Sequence, residues 1–426
     1  MTTPVPTGRG RWRFFLFQRA FSDVSDWSTL VIAELTGARS RRLVQVLNGA
    51  AEMTLTLDGR DQAAAMVAEL ATDLVAFRWD EASGTDLPMF RGPVTQSEDQ
   101  VSEQAHTVNL TAWDYFKMLS RRFTTLAYTA TQQDQDVIVR DLYNIGVGAT
   151  SSMGGTFPPS GAPVALTPGS YLPMQPAYVK PDGTGRAFGA GVLRDRAYPP
   201  QTQLDTALDD LAHVLGGFDY DVLAFSGNVM GGSTRYDALR VWYPVRGITR
   251  TTPELVYGAS VSSLTRTVTS ADYGNYWRVV GNNQSSNATD PQRFSETWNP
   301  DAASGSAGSP GLWMSADNAP DVTIQTTLDQ QVQGDLNYYG TLTPTYALVL
   351  RPGFYAYGAP NIGDVVPLFV RSGRLDVQAS VRVVGITYDV GDDGNEDVTL
   401  TVGRPPVGFA QILRGPVRDI DALVRR

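Results

Sequence analysis

Two stretches far apart in this sequence carry the same order of short motifs, and that repeat limits the folds open to the chain. Asp73-Leu74-Val75 begins a stretch that reaches Gly92, passes a polar turn and ends at Val108-Asn109-Leu110-Thr111. Asp364-Val365-Val366 begins another, which reaches Gly385, passes the turn Gly391 to Asn395 and ends at Val398-Thr399-Leu400-Thr401. The two are of nearly equal length, and each reads strand, turn, strand, turn, strand. Each also follows an alternating strand, Glu52 to Leu57 or Tyr276 to Val280, and a helix, Asp61 to Ala71 or Ile324 to Tyr339. Any two antiparallel meanders share some of these features. The sharper reading is two copies of one small β-barrel, the second interrupted by residues 281 to 340. Three chains with two equivalent barrels each would place six similar barrels around an axis, matching a sixfold partner with a threefold assembly.

Period-2 alternation predicts strands at Trp12, Phe14 and Leu16 and at Met53, Leu55 and Leu57, ended by the turn dipeptides Asn48-Gly49 and Asp58-Gly59. Further strands are expected at Asp73 to Trp79, Phe90 to Thr95 and His106 to Ala112, then helices near Trp113 to Arg122 and Asp134 to Asn144. The clearest helix is Gln203 to Leu215, with a stripe of Leu204, Leu208, Leu211 and Leu215, a capping-box pair in Thr202 and Asp205, and Gly216-Gly217 as its stop. Residues 145 to 200 hold ten Gly and nine Pro and read as a long loop or arm; Gly281 to Pro320 reads as a second exposed insertion. A short helix is expected at Val417 to Val424. The barrel interiors should hold Met53, Leu55, Leu57, Val75, Phe77, Val108 and Leu110 in one copy. In the other they should hold Val279, Val366, Val383, Ile386, Val398 and Leu400.

Of the 426 residues, 42% are apolar and 18% charged, enough apolar surface for real cores and too little charge for a disordered chain. The length suggests two to three domains. With no Cys there is no disulfide, thiolate metal ligand or Cys nucleophile. A net charge of −10 argues against a phosphate-binding surface and suits one that a polyanion passes without sticking. No apolar run approaches a membrane span, and the patch Phe14 to Phe17 after Arg9, Arg11 and Arg13 is too short for a signal peptide core, so cytoplasmic synthesis is the default.

Catalytic motifs are sparse. A histidine-based site would have to use His106 or His213, the only two. His213 falls opposite the leucine stripe and reads as a solvated residue; His106 reads as a strand-end residue at a barrel rim. The acids Asp389, Asp392, Asp393, Glu396 and Asp397 lack the order of a calcium loop, and Asp393-Gly394-Asn395 is hairpin-turn chemistry. Gly183-x-Gly185 sits in the Pro-rich arm and opens no suitable helix, so it is not a dinucleotide loop. No pair of carboxylates stands out for glycoside hydrolysis. Trp298, Trp313, Tyr171 and Tyr178 in the insertions could stack on sugars or on a neighbouring protein. No catalytic, cofactor-binding or metal-binding residue is assigned.

The order Glu34-Leu35-x-Gly37-Ala38-Arg39, Leu47-Asn48-Gly49, Leu55-Thr56-Leu57-Asp58-Gly59, Phe90-Arg91-Gly92 and Val108-Asn109-Leu110-Thr111 resembles the N-terminal barrel of minor tail proteins of actinobacterial siphophages, which belong with the baseplate or tail-tip hub proteins. Gly216-Gly217-Phe218-Asp219-Tyr220, Gly363-Asp364 and Val384-Gly385-Ile386-Thr387 are similar to that family's middle domain and second barrel. The resemblance implies a homotrimer whose two tube-type barrels per chain form a pseudo-sixfold ring. Such a ring would cap the tail tube or distal tail protein, meet the tape measure protein and the minor tail proteins of the tip or central fibre, and line the DNA channel. The arm at 145–200 and the insertion at 281–320 depart from the family pattern and read as interface segments.

The expected fold is therefore mainly β with minor α, with two related β-barrel domains, a mixed α/β middle domain and extended loops. The division is 1–125 for the first barrel, 126–255 for the middle domain with its arm, 256–405 for the second barrel with its insertion and helix, and 406–426 for a C-terminal tail or short helix. The expected role is a non-enzymatic structural virion protein, made in the host bacterial cytoplasm and resident at the distal end of the tail, with no cofactor. The alternatives are a hexameric distal tail protein and a tail-associated cell-wall hydrolase or carbohydrate-binding protein.

Overall fold

A computed structural model describes residues 12–19, 27–80, 83–124, 127–146, 174–214, 216–227, 235–271, 273–281, 293–300, 308–319, 322, 325–355, 358–392 and 394–403. The chain is mainly β. It opens with β1 (Trp12–Gln18), β2 (Val31–Glu34), β3 (Arg39–Val46), β4 (Glu52–Asp58), β5 (Thr72–Asp80), β6 (Thr85–Val101) and β7 (His106–Trp113). A middle part follows: β8 (Tyr128–Asp134), α1 (Gln135–Gly146), β9 (Met174–Val179), β10 (Leu193–Tyr198), α2 (Leu204–Ala212), β11 (Asp219–Gly227) and β12 (Arg235–Trp242). Then come β13 (Leu255–Val256), β14 (Val261–Thr267), β15 (Tyr276–Gly281), β16 (Phe294–Trp298), β17 (Met314–Ala319) and α3 (Gln325–Tyr339). The last strands are β18 (Thr345–Leu350), β19 (Val365–Ser372), β20 (Leu375–Val390) and β21 (Glu396–Val402).

Thirteen strands join one sheet in the order β14-β18-β21-β20-β3-β4-β7-β6-β5-β1-β2, with β19 pairing β20 and β13 pairing β19. None of the sheets closes on itself among the described residues. The sequence repeat is visible in this order. Strands β3 to β7 pair as β3-β4-β7-β6-β5, and β14 with β18 to β21 pair as β14-β18-β21-β20-β19.

The match extends to single residues. In β6–β7, Val94 faces Ala112, the register slips by one residue, and Gln96 faces Thr111; Asp99 then faces Val108. In β20–β21, Val383 faces Val402, the same slip follows, and Gly385 faces Thr401; Tyr388 then faces Val398. A bulge bends its strand, and here it separates the part of β6 that pairs β5 from the part that pairs β7. The same division holds in β20, between β19 and β21.

The registers correct the alignment read from the sequence. Val108 and Val398 are equivalent, as expected, but Asp73 corresponds to Val365 rather than Asp364, and Gly385 corresponds to Gln96 rather than Gly92. Gly92 serves another purpose. A Cβ there would lie 1.9 Å from the carbonyl oxygen of Trp113, so only glycine lets β6 and the end of β7 approach so closely.

One apolar cluster runs under both units. It contains Met53, Leu55, Leu57, Val108 and Leu110 from one and Val366, Val383, Ile386, Val398 and Leu400 from the other, as the alternation predicts. Three expectations differ. Val75 and Phe77 are buried on the opposite face of β5, with Phe15, Phe17 and Phe225, while Leu74 and Ala76 face the shared core. Val279 is buried in a separate cluster, because β15 pairs with β16 and β17 rather than within the repeat. The expected helix Asp61 to Ala71 is only a short 3-10 turn, Ala64–Met66, with Leu70 in the left-handed region at φ +61°.

The middle part has its own core, with Leu204, Leu208 and Leu211 of α2 buried against α1, β11 and β12. Helix α2 starts without the expected cap: Gln203 makes no side-chain cap bond, and Thr202 Oγ1 donates to Pro199 O instead. Part of the expected arm is ordered sheet, since β9 pairs parallel with β12 and β10 pairs β8, and Tyr178 is buried rather than exposed. In the insertion, α3 covers one face of the β16-β15-β17 sheet, placing Leu328 and Val332 against Trp277 and Val279. Tyr171, Leu215, Ile324 and the expected helix Val417 to Val424 lie outside the described residues.

Beneath this sheet, Glu396 of β21 accepts from Arg78 of β5 at 2.5 and 3.0 Å and from Trp12 Nε1 of β1 at 2.7 Å, all buried. Removing the carboxylate would take from the buried Arg78 guanidinium its carboxylate partner. Glu396→Ala is therefore expected to lower unfolding stability by about 3–5 kcal/mol in urea titrations, against under about 1 kcal/mol for Asp397→Ala.

Candidate assembly interface

The seam between the two repeats is built by backbone pairing. The C-terminal half of β20 has β21 on one edge and β3 on the other, antiparallel, with Gly385 opposite Val46, Tyr388 opposite Leu43 and Val390 opposite Arg41. A Cβ on Gly385 would lie 3.3 Å from the carbonyl oxygen of Gln45, a tight fit at the crossing. On the core side, Tyr388 and Leu43 are buried; Tyr388 packs against Trp12 at 5.3 Å between ring centroids and shares a hydroxyl hydrogen bond of 3.0 Å with Tyr355. On the other face, Arg42 and Asp389 form a partly exposed ion pair at 3.7 Å.

A second set of contacts ties the middle part to both units. Asn48, in the β3–β4 turn, donates to Asp219 at 3.1 Å and accepts from the backbone of Tyr220 at 2.8 Å. Asp219 also accepts from Arg382 and from the backbone N–H of Arg246 at 2.7 Å. Asp221 is ringed by Arg240, Arg246 and Trp242 Nε1, the last at 2.8 Å. Burial opposes ionisation of Asp221, yet Arg240 and Arg246 outweigh it and hold the carboxyl below its ordinary value. Burial in turn lowers Arg246 to about 10, partly offset by Asp221. Asp364 accepts from the backbone N–H of Ile248 at 3.0 Å and of Asn361 at 2.8 Å, and from Arg250 at 2.5 Å. Gly363 stands at φ +90°, with Arg246 O 2.5 Å from where a Cβ would be.

A third cluster lies beneath β6. Asp73 accepts from Arg91 at 3.2 Å, Arg19 at 3.3 Å and Tyr115 at 2.5 Å. Arg91 also reaches Asp237 at 3.7 Å, and Asp237 Oδ1 accepts from the backbone N–H of Phe225 at 3.0 Å while Oδ2 has no hydrogen-bond partner among the described residues. Burial pushes the Asp237 carboxyl up to about 7 and the Asp114 carboxyl, despite its backbone hydrogen bonds, also to about 7. A cavity of about 110 Å³ between these clusters is lined by Gln45, Phe90, Arg91, Asp114, Arg240 and Arg246, among others.

Neither histidine joins a site. His106 contacts Asp99 at 2.8 Å at the start of β7. His213 caps the end of α2, is half-buried rather than solvated, and lies edge-on to Tyr338. Among the described residues no group of three or more His, Asp or Glu could hold a metal. The acidic run divides instead: Glu396 is buried with Arg78, Asp389 meets Arg42 at the surface, and Asp393 lies outside the described residues. No described helix is long and apolar enough to cross a membrane. Trp298 and Trp313 are exposed, and Trp298 lies nearly parallel to Tyr276 on the open face of the insertion sheet.

Sequence reading quoted Asp219, Arg91 and Asp364 within its motifs but missed their partners, and it took Glu396 only as one of the acids around the hairpin turn. An acid two residues before the apolar alternation Val398-Leu400-Val402, and so on the same face, was the available signal.

No protein-family model matches the sequence, and no curated protein matches it. Solved structures do. The fold is similar to that of the tail protein from Neisseria meningitidis MC58, with a TM-score of 0.54 at 9% identity over 94% of this chain and 98% of that one. It is also similar to the 43 kDa tail protein of prophage MuSo2 from Shewanella oneidensis, with a TM-score of 0.51 at 11% identity over 93% of this chain and 98% of that one. At such identities the likeness is one of fold, and it spans nearly the whole of each chain.

The raised carboxyl of Asp237 makes a prediction about pH. Its folded-state value lies above the ordinary 3.8, so the folded chain holds the proton more tightly, and this group's contribution is complete below about pH 4 and lost as pH rises through about 7. The stability of Asp237→Asn relative to the parent should therefore rise between pH 5 and pH 8 in urea melts; a flat difference would contradict the assignment.

Proposed function

We propose that this chain is a non-enzymatic structural protein of a phage tail and acts as a homotrimeric tail-tip hub. The observation that carries the reading is the duplicated five-strand unit, with the same pairing order and the same bulge in each copy. A chain built of two equivalent units occupies two places in a ring, so three chains fill six. The fold likeness to two tail proteins, one of them from a prophage, supports the setting. In this reading the units are tube-type domains, divided along the chain as expected from the sequence, at 1–125, 126–255 with its arm, 256–405 with its insertion, and 406–426. The ring adapts the sixfold tail tube or distal tail protein to a threefold tip at the distal end of the virion tail. It meets the tape measure protein and other minor tail proteins, and a chain of net charge −10 suits a channel along which DNA slides without specific binding. A hexameric distal tail protein needs only one such unit per chain, so the second copy argues against that alternative.

One observation favours a second reading, carbohydrate binding: exposed Trp298 stacked on half-buried Tyr276, beside Glu296, offers a flat aromatic surface. Retention on host cell-wall polysaccharide that is lost in Trp298→Ala, with mass unchanged, would support it.

The hub reading is tested by native mass spectrometry of the purified chain across concentrations. The expected result is a species of three chains; six chains, or a monomer at every concentration, would contradict it.

A further inference from the structure

The equivalence of the two units determines which strand edges remain to be paired. Inside the chain, the C-terminal half of β20 is paired on both edges, by β21 and β3. Its counterpart is the C-terminal half of β6, where Val94, Gln96 and Asp99 match Val383, Gly385 and Tyr388. That half of β6 pairs β7 on one edge and no strand on the other among the described residues. The counterpart of β3 is β14. Leu43 faces Met53 and Arg266 faces Tyr346, while Met53 faces Ala112 and Tyr346 faces Val402, so Leu43 and Arg266 are equivalent. Strand β14 pairs β18 on one edge and no strand on the other among the described residues. One chain thus carries both sides of a second seam, unjoined.

Resting on the trimer reading above, we propose that β14 of one copy pairs antiparallel with the outer half of β6 in the next, in the register of the internal seam. Tyr388 faces Leu43 in that seam. The same register sets Asp99 of one copy opposite Arg266 of the next. It also sets Glu98 opposite Thr267, Gln100 opposite Thr265 and Val101 opposite Leu264.

Three features fit. First, the charges are complementary: Glu98 and Asp99 are the charged residues of the outer half of β6, and Arg266 is the charged residue of β14, all exposed. Opposite charges directly across an antiparallel pair are favourable, whereas like charges are not. Second, the side chains share a face. Asp99 lies opposite Val108 and Arg266 opposite Tyr346, both members of the shared core, so both charges stand on the core side of the sheet. Third, Val101 is 74% exposed at the end of β6 and meets the apolar Leu264 in this register. An unpaired strand edge is a template for another chain, and a head-to-tail contact of this kind closes into a ring when the rotation permits.

The absence of Cys permits a clean test by disulfide trapping. Two pairs are made, Asp99→Cys with Arg266→Cys and Gln100→Cys with Thr265→Cys, because neighbouring positions alternate between the wide and close spacings of an antiparallel ladder. Mild oxidation should give reducible covalent dimers and trimers in at least one pair, and none in the single variants or the out-of-register Glu98→Cys with Arg266→Cys. In parallel, Asp99→Arg and Arg266→Asp should each reduce the trimer fraction, and the two together should restore it. A trimer by mass that is trapped at neither pair, or is trapped best out of register, would overturn the proposed seam and leave the hub reading standing. Absence of any trimer would overturn both.

Discussion

The structure depends on the pairing of β20 with β3. Backbone N–H and C=O groups taken out of water must find partners, and here one repeat supplies partners to the other, making two units into one sheet over one core. Beneath the seam, Glu396 of the second unit holds Arg78 and Trp12 of the first. Such a buried ion pair adds little over a well-packed apolar contact, but it strongly penalises any arrangement that separates its partners. Its effect is to fix how the units meet.

The middle part is held by the same physical device. Asp219 and Asp364 each accept hydrogen bonds from arginines and backbone amides, and Asp221 is held by Arg240, Arg246 and the indole N–H of Trp242. The Asp219 network places the α/β part against both units, through Asn48 of one and Arg382 of the other. Arginine forks on carboxylates are directional contacts that fix orientation as well as position. The buried Asp237 near Arg91 is the exception, an acid whose burial outweighs its pairing.

Much of the fold was legible in the sequence. Alternation at Met53-Leu55-Leu57 and at Val398-Leu400 identified core faces, because those strands present one face to the core. Strand β5 defeated the same reading: seven of its residues in a row are buried, so alternation carries no information about which face meets which core. The alanine-rich segment after Asp61 has high helix propensity, yet a segment this short depends on packing for its stability and forms only a 3-10 turn. Glycines misled the alignment of the repeats, since Gly92 and Gly385 answer to different close approaches at non-equivalent positions. The polar junctions were not legible, because Glu396 and Arg78 are 318 residues apart and nothing local marks their pairing.

The central claim is that the duplicated unit is the building block of a ring. The most direct measurement is an electron-microscope reconstruction of the assembled protein, refined without imposed symmetry, at a resolution that separates strands. The account predicts six similar sheet segments around a central opening, joined alternately by a seam within a chain and a seam between chains. A ring in which only one unit of each chain faces the axis, or an assembly whose copies meet away from these sheet edges, would contradict it.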